Sequence, residues 1–180
     1  MADLGAMAKT KRFTLQTNLP IERVYTVVSG DTYLLTMEGS RDEESTEILY
    51  AQREDRPDGT VCAEVHGAPF QDEGDGEGDG DGVGADSTER AVIRQITQVT
   101  PLTEQGFGVH SSAGLPQDMG TMTSVLAYRP IEDGTQVDVE FTADVSVPLV
   151  GGMIEKRFLS EVEETVGRGM RRIEFLDARS

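Results

Sequence analysis

Residues able to do chemistry are few and scattered in this chain. Cys62, Glu64 and His66 occupy alternate positions, so on a strand they share one face. A thiol, a carboxylate and an imidazole are the parts of an activated nucleophile. A strand rises about 3.3 Å per residue, which sets Cys62 and His66 roughly 13 Å apart, beyond hydrogen-bond reach. The three therefore read as the polar, solvent-facing side of a strand whose other side is Val61, Ala63 and Val65. His110, Ser111 and Ser112 are neighbours in sequence, but neighbours on a strand point to opposite faces. A Ser–His relay needs groups converging from separate elements, an orienting acid and an oxyanion hole, and no G-x-S-x-G elbow is present. No catalytic residue is assigned. Two histidines and one cysteine in no zinc-site spacing give no metal site, and no cofactor motif occurs. The run GDGEGD lacks the strand and helix that a dinucleotide loop requires.

The densest charge lies in residues 71–86, QDEGDGEGDGDGVGAD. An EF-hand loop starting at Asp75 would place Asp75, Glu77 and Asp79 correctly, followed by Gly80. It then fails, with Gly82 at the apolar anchor position and Asp86 in place of the bidentate Glu. Glycine entropy and like-charge repulsion predict a flexible acidic insertion over 71–89, with a basic protein as the partner it could recruit. Its eight acids account for 8 of the net charge of −17, leaving −17 + 8 = −9 for the rest. That balance excludes a general nucleic-acid binder, which needs a basic face. Arg168, Arg171 and Arg172 form one basic cluster. It is read as complementing a helix dipole and pairing at i,i+4, as Glu164 with Arg168, ahead of an anion-binding role.

Residues 11–17 alternate as a first strand. Ile21, Val24, Tyr25 and Val28 follow at helical spacing behind Asn18-Leu19-Pro20, where Asn18 or Leu19 would cap. Asp31 opens a second short helix ending near Gly39. Period two then takes over. Residues 46–52 place Ile48 and Tyr50 on one face, and residues 60–65, 91–99, 105–111 and 121–129 give further strands. Residues 135–147 alternate most regularly, with Val137, Val139, Phe141, Ala143, Val145 and Val147 on one side. A long C-terminal helix follows Gly151-Gly152, with Ile154, Phe158, Val162, Val166, Met170 and Ile173 in one stripe. Gly167 and Gly169 within it suggest a bend or a close approach to the sheet. Grouped strands with segregated helices predict an α+β fold: a curved antiparallel β-sheet wrapped around a long C-terminal helix, with two short helices after the first strand. Residues 1–10 are expected to be a flexible N-terminus and 11–178 one domain. The chain contains no apolar run long enough for membrane insertion and its start lacks a signal-peptide core, so a cytoplasmic location is expected.

The segments LPIERVYTVVSGDTYL and DVSVPLVGGMIEKRFLSEVEE resemble the START-like superfamily, also called SRPBCC or helix-grip proteins. The second segment is similar to the VPLVGGxIEK pattern of an uncharacterised actinobacterial family within it, with Met153 where that pattern has Lys. The resemblance implies a cavity between sheet and C-terminal helix that holds a hydrophobic small molecule such as a lipid or a polyketide-like compound. Cavity candidates are Val139, Phe141, Ile154, Phe158, Val162 and Val166. An interaction module using the insert or the sheet face is the alternative, and a START-like cyclase or hydrolase the third reading. The third ranks last because the inward strand faces look apolar.

Overall fold

The computed structural model describes residues 8–70 and 90–180. The insertion expected at 71–89 lies outside them. Seven strands form one antiparallel sheet: β1 (Lys9–Thr17), β2 (Thr46–Asp55), β3 (Val61–Pro69), β4 (Ile93–Val99), β5 (Phe107–Gly114), β6 (Gly120–Ile131) and β7 (Gly134–Val145). Their spatial order is β1-β7-β6-β5-β4-β3-β2. Between the first two strands run α1 (Ile21–Val28) and α2 (Asp31–Leu35), and α3 (Gly151–Arg179) closes the chain. This is the expected α+β helix-grip architecture. Because β1 and β2 lie on opposite edges, α1 and α2 must carry the chain across one end of the sheet.

Each element begins where local chemistry allows. α1 starts one residue later than its proline suggested, because the Pro20 carbonyl already accepts the Arg23 and Val24 amides. In the Asp58-Gly59 turn the Asp58 carboxylate accepts the Thr60 amide at 2.9 Å, and Gly59 adopts φ 88°, a conformation glycine enters without steric cost. The β6–β7 hairpin closes at Ile131 opposite Gly134.

The register sorts every side chain to one face. Thr97, Ser111, Ser124 and Phe141 lie directly opposite one another across β4, β5, β6 and β7. Val99, Val109, Leu126 and Val139 form the next row, continuing to Phe13 on β1. These rows face α3. Ile48 and Tyr50, expected on one face, are separated by a bulge: Ile48 pairs with Gly67 and Tyr50 with His66, leaving Leu49 without a partner in the register. The extra residue turns Tyr50 to the outer face, where its ring packs 4.8 Å from that of His66.

The core concentrates under α1, α2 and the second half of α3. Val24, Val28, Val99, Val137 and Ile173 are completely buried there, and Phe107 stacks on Tyr128 with ring centroids 4.6 Å apart. Arg23 of α1 pairs with Asp177 of α3, and Thr17 donates to Glu174 at 2.8 Å. The first half of α3 is held less tightly, with Ile154 and Phe158 only half-buried.

Candidate functional site

The sharp entry into α3 sets where the helix lies over the sheet. β7 ends at Val145, and Gly151 is pressed so closely against it that a Cβ would stand 2.8 Å from the Val145 carbonyl oxygen. Four residues on, Glu155 is 2% exposed. Its carboxylate accepts the Val145 amide at 3.1 Å and faces the Lys9 ammonium at 3.5 Å. Lys9 also donates to the Gly152 carbonyl at 3.1 Å. The VPLVGGMIE segment is thus a structural joint, fastening β1, the end of β7 and the start of α3. Met153 projects to solvent, so the position where the family pattern has Lys takes no part in it. Glu155 escaped sequence reasoning because a carboxylate in a helix's first turns ordinarily reads as solvated and dipole-favoured.

Between α3 and the inner face of β4–β7 lies a cavity of about 350 Å³. That is at the lower end of the range typical of small-molecule sites. Phe141, Val162, Val166, Met170, Leu126 and Leu34 supply its apolar wall. Of the six residues expected to line such a space, Phe141, Val162 and Val166 do so. Val139 is packed within the core. Ile154 and Phe158 lie nearer the helix start, outside this lining. Gly169 borders the cavity, and a Cβ built there meets no atom within 4 Å. The close approach to the sheet suggested for Gly167 and Gly169 is therefore not found. At Gly169 the missing side chain leaves space.

The lining is more polar than the strand pattern implied. Gln95, Thr97, Ser111, Ser124, Thr165 and Tyr33 all border the cavity. Gln95 Nε2 donates to Thr97 Oγ1 at 3.3 Å, and Thr97 Oγ1 lies 3.2 Å from Ser111 Oγ. Burial pushes the Tyr128 phenol well above its ordinary pKa, and Tyr33 adds to the effect. Burial likewise raises Tyr33, partly offset by Arg172.

Arg172 is the charged residue on this lining. Its guanidinium sits 4.8 Å from the Tyr33 ring centroid. It donates to the carbonyls of Glu38 at 2.8 Å, Thr36 at 2.9 Å, Thr32 at 3.1 Å and Tyr33 at 3.2 Å. It therefore caps the C-terminal end of α2, whose last carbonyls have no intrahelical partner. Burial lowers its pKa from the usual arginine value. Arg168 pairs with Glu164 one turn back, as the spacing predicted, and Arg171 is exposed.

The remaining candidates are on the outer face. His110 is exposed while Ser111 points into the cavity, so the two do not meet. Cys62, expected to face solvent, is buried. Glu64 and His66 do meet, with Nε2 to Oε1 at 2.7 Å, because side chains two apart on one face lean together. Arg94 of β4 bonds the same Glu64 oxygen at 2.6 Å. Arg94 and then His66 hold the Glu64 carboxyl down to about 2. Among the described residues no group of three or more His, Cys, Asp or Glu is placed to hold a metal ion. No helix there is long and apolar enough to cross a membrane.

Comparison with known proteins agrees with this geometry. A family described as "Protein of unknown function (DUF2505)" matches residues 12–174. No protein of curated function matches the sequence. Among solved structures, TTHA0849 from Thermus thermophilus is similar at TM-score 0.56 and 15% identity, over 95% of this chain and 98% of that one. A START superfamily protein from Mycobacterium smegmatis is similar at TM-score 0.51 and 16% identity, over 93% and 98%. The Zhui aromatase/cyclase from a Streptomyces species is similar at TM-score 0.54 and 12% identity, over 96% and 94%.

Proposed function

The chain belongs to the DUF2505 family and has the START-like helix-grip fold, and from that premise we propose that it binds a hydrophobic small molecule between its sheet and α3. The observation that carries this reading is the cavity of about 350 Å³, which lies beside the core cluster rather than being filled by it. An apolar wall with a few convergent polar groups is the usual composition of a ligand site. The similar folds of a START superfamily protein and an aromatase/cyclase support a carrier- or cyclase-like ligand, such as a lipid or polyketide-like compound. Native mass spectrometry of the purified protein tests it. A co-purified small molecule, displaced by a fluorescent apolar probe, is expected. A chain with no adduct that also fails to take up the probe refutes the reading.

Binding ranks above catalysis because, among the described residues, no His, Cys or carboxylate borders the cavity. General acid–base work there would fall to Tyr33 and Tyr128, both shifted away from neutrality. A second reading, protein interaction, is favoured by one observation. Tyr50 of β2 and Ile96 of β4 are exposed on the outer face of the sheet, and Phe70 is exposed just before the acidic segment in sequence. A basic partner using both would be captured at low salt, and lost when residues 71–89 are deleted or salt is raised.

A further inference from the structure

We propose, resting on the cavity-binding reading above, that the occupant is a neutral molecule with an apolar body and hydroxyl or keto oxygens along one edge. The row Thr97–Ser111–Ser124 would hold that edge. These three side chains are directly opposite one another on adjacent strands, and Thr97 Oγ1 and Ser111 Oγ close to 3.2 Å. The Gln95 amide donates to Thr97 Oγ1, and Thr97 and Ser111 share one hydrogen bond of 3.2 Å that either hydroxyl can donate. One proton of that pair and the Ser124 hydroxyl then remain for an occupant.

The opposite wall is mainly Val162, Val166 and Met170 with Phe141 at the end of the row, and Thr165 and Arg172 are the polar residues α3 adds to it. One edge of the ligand is therefore hydrogen-bonded and the other packed mostly against hydrocarbon. Charge decides the rest. Among the described residues no carboxylate, Lys or His borders the cavity, and the guanidinium of Arg172 already serves four carbonyls. An amine would find no counter-charge on this lining, and a carboxylate would find only the Arg172 guanidinium, whose N–H groups are mostly taken by those carbonyls; a poorly paired buried charge is costly. A site that hydrogen-bonds oxygens also discriminates against analogues lacking them, because its own polar groups are left unpaired.

The test is calorimetric titration of the full chain with a meta-dihydroxylated biphenyl, its meta-dimethyl counterpart and decanoate. The dihydroxy compound is expected to bind at least about tenfold tighter than the dimethyl one, with decanoate weaker than either. In the Thr97→Val, Ser111→Ala double variant, checked for folding by circular dichroism, that ratio should fall towards one. Equal or tighter binding of the dimethyl compound overturns the inference while leaving the cavity reading intact. So does tightest binding of decanoate, or an unchanged ratio in the folded variant. A co-purified ligand in native mass spectrometry together with no binding of any probe also overturns the inference alone. No co-purified ligand and no probe binding overturns both.

Discussion

Substituting Gly169 separates space from packing, because the two make opposite predictions there. Gly169 is in the interior of α3 and borders the cavity, with nothing within 4 Å of a Cβ built on it. Alanine is favoured over glycine in a helix interior by about 1 kcal/mol, and here no contact offsets that gain. For a chain of this length a change of that size moves the melting temperature by about 2–4 °C, so Gly169→Ala should melt higher by that amount. Gly169→Leu goes further. Leucine retains most of alanine's helix preference and its side chain enters a space of about 350 Å³. Its burial there contributes favourably, up to about 1.5–3 kcal/mol if complete. The variant should be at least as stable as the parent and should bind an apolar probe much more weakly. Thermal unfolding and probe fluorescence on the same samples check both halves. If Gly169→Leu is destabilised by the 1–3 kcal/mol typical of an overpacked core, the space is occupied and the cavity argument fails. If it is stable and binds probe unchanged, the ligand site is elsewhere.

The other predictions concern the supports of that site. Glu155→Ala leaves the buried Val145 amide without its 3.1 Å acceptor and should cost about 1–3 kcal/mol in urea unfolding. Arg172→Met removes four hydrogen bonds to α2 carbonyls and their neighbours. Amide exchange should accelerate in α2 before the sheet is affected. Glu64 is held near 2 against an ordinary 4.5. A carboxyl depressed in the folded state contributes stability that is full above its unfolded pKa and lost as pH falls through the folded one. Glu64→Gln should therefore flatten the stability profile between about pH 4.5 and pH 2, with little change in slope at neutral pH. Replacing 71–89 by a short turn should leave the melting temperature within a few degrees. Arg90 already clasps the Pro69 carbonyl at 2.8 Å, and loop length enters closure entropy only logarithmically.

The sequence by itself determined the element order and which face of each regular strand is buried. Those properties follow from periodicity, and one unbroken alternation such as Val137, Val139, Phe141 and Ala143 settles a whole strand. It also placed the start of α3 after Gly151-Gly152, but the close backbone approach it suggested for Gly167 and Gly169 is found at Gly151 instead. Tertiary structure decided what periodicity cannot express. A single inserted residue, Leu49, reversed the facing of Tyr50, since a one-residue shift flips every later side chain. Val139 went to core and Val162 to cavity lining, although both lie on inward stripes. Whether an inward residue meets a neighbour or a void depends on the distance between α3 and the sheet, which residues far away in sequence set. Thr97, Ser111 and Ser124 look unrelated along the chain and became one polar row only when the strand register aligned them.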